Sequence, residues 1–397
     1  MTRNPTTIAG WLLATGIAML GPSSRAVAQE REIALDTLGR AVEIQGSSDA
    51  ALNAFRISGF GVGVFNYSNA TDASSFAATK LTVSAYKRAG QSFSFYGQLT
   101  TLFEQETPGF TVYEEADSEA PGEGGQEPSI EIDNLILSFS PPHASQLVFW
   151  LGRFDAEVGF ERDDEPLNFQ PTQSFNFAFA RPVKFTGLLA RYTPLPGLSL
   201  AGFVVNGWDV PVDNNRAKSF GARVSLLPSE YSSVSITGLL GPEKDENTSD
   251  YRYLLSGDFT LQPIRPVILG GEFNYGSEEN SGPDGASARW VGGVVTGFLR
   301  LVRGFGITVR ADIFDDTDGS RTGAPRTLQS YTVAPMLFFQ TAMAGIFNNI
   351  PATSFALPRF ALRAGLRWNV SNNPYFADED GPRRNETQVV IEGVFIY

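Results

Sequence analysis

QVVIEGVFIY (388–397) alternates along its length, with Val389, Ile391, Gly393, Phe395 and Tyr397 on one face and Gln388 and Glu392 on the other. A two-residue period is that of a β-strand. These are also the last residues of the chain, where a soluble domain usually frays into a polar tail. In lipid every backbone N–H and C=O needs an internal partner, so a spanning sheet has to close with its final strand bonded to its first. A strand that stops flush on an aromatic fits that demand. Tyr397 is then expected at the membrane–water interface, its ring against lipid and its hydroxyl in water. The competing reading is the edge strand of a soluble sheet, and the rest of the chain decides between them.

The same pattern recurs upstream. In SFSFYGQLTTLF (92–103), Phe93, Phe95, Gly97 and Leu99 oppose Ser94, Tyr96, Gln98 and Thr100. In GFGITVRADIF (304–314), Phe305, Ile307, Val309, Ala311 and Ile313 oppose Gly306, Thr308, Arg310 and Asp312. The pattern predicts sixteen strands, near 55–66, 78–88, 91–104, 130–140, 145–155, 182–192, 197–206, 217–227, 231–241, 251–262, 265–276, 288–302, 304–314, 327–340, 358–370 and 386–397. Tight connections such as AG (89–90), PPHA (141–144) and RG (303–304) alternate with long polar ones at 105–129, 156–181, 207–216, 242–250, 277–287, 315–326 and 371–385. Short periplasmic turns and longer outer loops are the mark of an outer-membrane barrel, and an even strand count leaves both ends on the periplasmic side. The fold class is therefore all-β, a transmembrane antiparallel up-and-down β-barrel of about 16 strands spanning 55–397. The connection 341–358 is too long for its place among the tight turns.

The N-terminus reads as an export signal. Arg3 precedes the apolar stretch Ile8–Leu20, which is too short to span as a helix, and Ala26 and Ala28 stand in A-x-A placement before Gln29. This predicts a cleaved signal peptide over 1–28, then an N-terminal periplasmic segment, 29–54, in which LDTLGRAVEI (35–44) could form a small helix. Mean hydropathy is -0.10, so apolar residues are dispersed rather than blocked. A net charge of -13 argues against nucleic acid as a partner. With no cysteine there is no disulfide, thiolate metal site or cysteine nucleophile, and the one histidine, His143, lies in a Pro-Pro turn. A histidine-dependent hydrolase would have to use that residue, so no enzyme, metal or cofactor is expected. DDTDGSRTGAP (315–325) fails as a calcium loop, because Phe314 and Pro325 occupy ligand positions.

In the middle of the chain, LGRFDAEVGFERDDEPLNFQPTQSFNFAFARPVKFTGLLARY (151–192) and GFVVNGWDVPVDNNRAKSFGARVSL (202–226) carry a set of landmarks. These are Gly152-Arg153-Phe154, Gly159-Phe160-Glu161, Asn168-Phe169, Pro182, Thr186-Gly187 and Val204–Asp209, with Asp213, Asn214, Lys218 and Gly221 beyond. The region resembles the OmpL-like family of β-barrel porins. That resemblance implies passive transport across a bacterial outer membrane without naming a solute. The acidic run Glu161-Arg162-Asp163-Asp164-Glu165 is a departure, since the family usually carries fewer charges there.

The chemistry that remains belongs to a pore. By alternation Arg223, Asp258, Glu272, Arg310, Asp312, Arg363, Arg367 and Glu392 are expected to face the lumen. They would either set a transverse field for solutes or pair with one another. In general porins the third outer loop folds inward; by that resemblance Asp155, Glu157, Glu161, Asp163, Asp164 and Glu165 would line a cation-favouring constriction. The competing view leaves them as a solvated outer loop. The leading expectation is a water-filled porin for small polar or charged solutes. The alternative is a non-conducting structural or surface-adhesion barrel. Expected partners are the lipid bilayer, lipopolysaccharide bridged to acidic loop 105–129 by divalent cations, and the barrel assembly machinery reading the last strand. Association into a homo-oligomer is compatible with either.

Overall fold

The structure, a computed structural model, describes residues 32–35, 41–44, 56–69, 72–102, 129–144, 146–229, 232–341, 358–376 and 381–397. The expected signal segment, the acidic loop beyond Leu102 and the connection 342–357 lie outside these residues. Strands β1 (Glu32–Leu35) and β2 (Ala41–Ile44) form an antiparallel ribbon, from Glu32↔Ile44 to Leu35↔Ala41. This corrects the helix expected over 35–44: Val42 and Ile44 favour extended backbone, and Gly39 weakens any helix through them.

Sixteen further strands follow. They are β3 (Arg56–Ser68), β4 (Ala73–Ala89), β5 (Phe93–Leu102), β6 (Ser129–Phe139), β7 (Leu147–Asp155), β8 (Lys184–Leu195), β9 (Leu198–Val205) and β10 (Ser219–Ser229), then β11 (Ser232–Pro242), β12 (Tyr251–Ile264), β13 (Val267–Glu278), β14 (Ala288–Val302), β15 (Phe305–Asp316), β16 (Arg326–Thr341), β17 (Pro358–Ser371) and β18 (Asn385–Ile396). Each pairs antiparallel with its chain neighbours, and β18 pairs with β3, so the sheet is a closed barrel. No helix among the described residues is long and apolar enough to cross a membrane. The first hairpin is tighter than expected, because β3 runs on to Ser68 and β4 begins at Ala73. The small residues of ASSFAAT (73–79) hid that extension from a reading based on polarity.

Alternation sets the two faces. On β18, Gln388, Val390, Glu392 and Val394 are buried inward while Ile391, Phe395 and Tyr397 are exposed outward. Outward leucines, valines and phenylalanines continue around the wall as a belt with no core to pack on, as a lipid-facing surface requires. The seam is strapped at its lower end. Gly59 and Tyr397 exchange backbone hydrogen bonds (3.0 and 3.2 Å), and the Tyr397 hydroxyl donates to the Thr82 carbonyl of β4 (3.3 Å). The tyrosine ring lies over Gly59, where a Cβ would come within 2.1 Å of the Thr82 oxygen and 2.5 Å of the Tyr397 hydroxyl.

Gly59→Val is therefore expected to cut the yield of folded barrel, read as the heat-modifiable band on a gel. Tyr397→Phe, which loses one hydrogen bond worth about 0.5–1.5 kcal/mol, should fold normally and unfold at slightly lower urea. Equal yields of wild type and Gly59→Val would refute the strap.

Candidate functional site

Between β7 and β8 the chain does not stay outside. Residues 156–183, the third of the outer connections, turn into the lumen and touch the wall around most of its circumference. Gly159 makes the turn possible with a φ of +78°, and a Cβ there would sit 2.3 Å from the Glu272 carboxylate of β13. The next amide, Phe160 N–H, donates to that same carboxylate at 2.7 Å.

Wall arginines fasten the loop mainly through its backbone. Arg310 of β15 donates to the carbonyls of Thr172 and Gln173 and pairs with Glu161 at 3.0 Å. Arg363 of β17 donates to the carbonyls of Glu165 (2.9 Å) and Asn168 (2.6 Å) and pairs with Glu392. Arg223 of β10 binds Asp258 and reaches the Glu157 carbonyl at 3.3 Å. From the loop's own side, Arg181 pairs with Glu272 at 2.9 Å, and Phe175 N–H donates to Asp312 at 2.9 Å.

The second half of the loop is apolar. Ser174 caps a short helix, α1 (Phe175–Ala180), its hydroxyl accepting from Phe177 N–H. Phe175 packs at a tilt against Phe376, Phe179 stacks on Phe314, and the Trp290 indole donates to the Ala180 carbonyl. Arg321 lies against both Trp208 and Trp290 while donating to the Phe179 carbonyl at 2.9 Å. The exit is held by Asp209, one of the quoted landmarks, whose carboxylate accepts from the amides of Val183 and Lys184, both at 2.7 Å.

All eight wall charges named from the sequence face inward and are buried. Arg223, Glu272, Arg310, Asp312 and Arg363 bind the loop, Asp258 and Glu392 pair with the first and last of these arginines, and Arg367 stacks on Phe175. The six acids are brought together less uniformly. Asp155 and Asp163 share Lys184 of β8, with Asp133 of β6 as a third partner, and Asp163 and Glu165 face Lys80 of β4. Asp164 accepts from the Gln98 amide, Glu157 pairs with Arg191 and Glu161 with Arg310. Sequence reasoning missed Lys80, Asp133, Arg181, Lys184 and Arg191, and gave Asp209 as a landmark without a role. Lys80 was legible, since it shares a face with Thr82 and Ser84. Lys184 was not, because alternation sets it opposite inward-facing Phe185. His143 is exposed in the turn between β6 and β7.

Burial disfavours ionisation of every carboxyl in the loop, and the neighbours decide the outcome. At Asp164 burial wins, reinforced by Asp133 and Asp155, and its pKa rises well above the usual carboxylate range. Burial likewise raises Glu161 and Glu165 despite Arg310 and Lys80. At Asp163 the Lys80 and Lys184 ammoniums overcome burial and hold the carboxyl below that range. Arg191 and Arg223 do the same for Glu157.

A family model described as "Putative beta-barrel porin-2, OmpL-like" matches residues 112–397. The outer membrane channel DcaP of Acinetobacter baumannii superposes with a TM-score of 0.57 at 12% identity, covering 89% of this chain and 100% of that one. OmpF of Salmonella typhi gives 0.59 at 11% identity, over 88% and 99%. An anion-selective porin from Comamonas acidovorans gives 0.57 at 11%, over 87% and 99%. Such identities show a shared fold alone. No curated protein sequence matches the chain.

Removing Arg310 strands Glu161 without its cation, a loss of about 3–5 kcal/mol for a buried pair. Arg310→Ala should therefore speed hydrogen exchange of the 160–175 amides by about a hundredfold or more, with β3–β18 still protected. Unchanged loop protection by mass spectrometry would show that the arginine is not the fastener.

Proposed function

Because the chain belongs to the OmpL-like family of β-barrel porins, and is thus an outer-membrane porin of a bacterial cell, we propose that it passes small polar solutes through a lumen narrowed by 156–183, with cations favoured. One observation carries the preference. Where the loop meets β4–β8 both lysines are covered, as are Asp133 and Asp164, while three other carboxylates are not: Lys80 and Lys184 side chains keep 9% and 7% exposure, against 31% for Asp155 and 27% for Asp163 and Glu165. Water at that surface meets an acidic edge backed by buried cations. A field of that sign concentrates cations and repels anions over about a Debye length, roughly 8 Å in physiological salt.

The reach of the loop across the lumen favours small solutes over large ones. It also supports a second reading, a barrel that conducts nothing and works through its outer surface. Folding by the barrel assembly machinery, with β18 as the segment recognised, belongs to either reading.

Planar-bilayer recording separates them. The expected result is discrete conductance with a reversal potential on the cation side in a salt gradient. Glu165→Gln and Asp155→Asn, each folded by the heat-modifiability criterion, should move that potential toward zero. Absence of current above the bare bilayer would sink the channel reading. Current with unmoved potentials would take the acidic edge off the permeation path.

A further inference from the structure

The apolar belt runs down to the short turns that join β12 to β13 and β14 to β15. Leu261, Leu299 and Leu301 are exposed at 40%, 41% and 49%, and at the turns themselves Ile264 and Val302 reach 60% and 62%. In open water these side chains would form an unburied apolar row, so the hydrocarbon edge extends to these two hairpins. The turns lie side by side: Val267 stands opposite Leu299, and Arg300 N–H donates to the Pro266 carbonyl at 2.7 Å. Short turns of such a barrel are on the periplasmic side.

Each of the two turns carries an exposed arginine, Arg265 in one and Arg303 in the other. Among the described residues neither guanidinium has a carboxylate partner or a donor closed off from solvent. The surrounding sequence brings no acid between Asp258 and Glu272 or between Asp284 and Asp312, and the next connection, 341–358, has no charged residue. By continuation of the register Arg265 falls opposite Leu301, close enough to Arg303 for two long side chains to meet one group. Arg300 follows the lumen-facing parity of Thr296 and Phe298 instead. The pair is particular to this sector. The turns at 141–144 and 193–197 hold no Lys or Arg, and Arg88 at the end of β4 donates to the carbonyls of Gly90 and Gln91 in its own turn, at 2.7 and 2.9 Å.

We propose that Arg265 and Arg303 hold the headgroup phosphate of an anionic phospholipid of the periplasmic leaflet, its acyl chains lying against Leu261, Leu299 and Leu301. At the foot of the belt an arginine keeps its stem on hydrocarbon and its fork among headgroups, and that fork matches phosphate oxygens. Two cations without an acid favour a lipid of net negative charge over a zwitterion, which would bring a cation of its own. The apolar row suits an amphiphile better than a free anion. The site lies outside the barrel and does not depend on conduction.

The test uses the full-length protein in neutral detergent, titrated with phosphatidylglycerol or phosphatidylcholine and followed by native mass spectrometry. Wild type should hold phosphatidylglycerol the more tightly. Arg265→Gln and Arg303→Gln should each weaken its tightest site about fivefold, and the double variant about twentyfold, as expected for arginines at an anionic surface. Arg300→Gln removes the same charge from the lumen side and should change the affinity by less than about twofold. Heat-modifiable mobility should be unchanged in all of them. Equal affinity of wild type and the double variant overturns the proposal. A loss with Arg300→Gln as large as with Arg265→Gln also overturns it, leaving a diffuse field in place of a site. Displacement by millimolar inorganic phosphate would make this a free-anion site, and loss of bound peptidoglycan fragments in the double variant with lipid binding intact would make it a cell-wall contact; either result overturns the lipid.

Discussion

A sheet surrounded by hydrocarbon cannot leave an edge unpaired, because each bare N–H or C=O there costs several kcal/mol. The pairing of β18 with β3 is the bond on which this molecule depends. It joins Gln388↔Ser68 through Ile396↔Phe60 and ends in the Gly59–Tyr397 exchange. Once the sheet is closed, its alternation is no longer optional. One face must be apolar for lipid, and the other encloses a space that carries whatever polarity the strands bring. Both a wall that binds a loop and a wall that passes solute follow from that enclosure.

The enclosed loop has two kinds of attachment, and they differ in what they demand. Around α1 it is an aromatic core of Phe175, Phe179, Phe314, Phe376, Trp208 and Trp290, held by shape and burial. Around 157–173 arginines from β10, β15 and β17 reach inward to it, beside smaller apolar contacts of Leu167 with Phe60 and of Phe169 with Phe298. A buried ion pair contributes little net stability over an apolar replacement, yet losing one partner is costly. The ionic half therefore fixes where the loop sits more than how stable the barrel is. Stability comes from the closed ladder of sixteen strands.

Much of this was legible in the sequence, and the boundary of legibility is physical. Strands such as β5, β15 and β18 announce themselves because each has one face in lipid and one in the lumen, so polarity carries the period. The inward direction of Arg310, Asp312, Arg363 and Glu392 followed from the same rule. What those side chains bind did not, since a strand's pattern says nothing of a loop arriving from β7. Lys184 is the clearest failure. It leaves the outward face at the point where β6 and β7 separate, and only that split lets it meet Asp133 and Asp163. The stretch 35–44, which holds β2 and the end of β1, was read as a helix because ten positions offer too little period to tell 3.6 from 2.

The form of the arginine contacts bears on how one barrel could serve different solutes. Arg223, Arg310, Arg363 and Arg181 donate to loop carbonyls at Glu157, Thr172, Gln173, Glu165, Asn168 and Glu161. A carbonyl is present whatever side chain stands there. The loop can therefore stay in place while much of its charge changes. The exposed carboxylates of Asp155, Asp163 and Glu165 are under a different constraint, because Lys80 and Lys184 lie buried beneath them. Taking away all three would leave two ammoniums in a poorly solvated site, with Asp133 and Asp164 as their nearest carboxylates. Selectivity at this edge is thus coupled to the lysines of the wall rather than to the loop alone. A change of sign would require Lys80 and Lys184 to change with it.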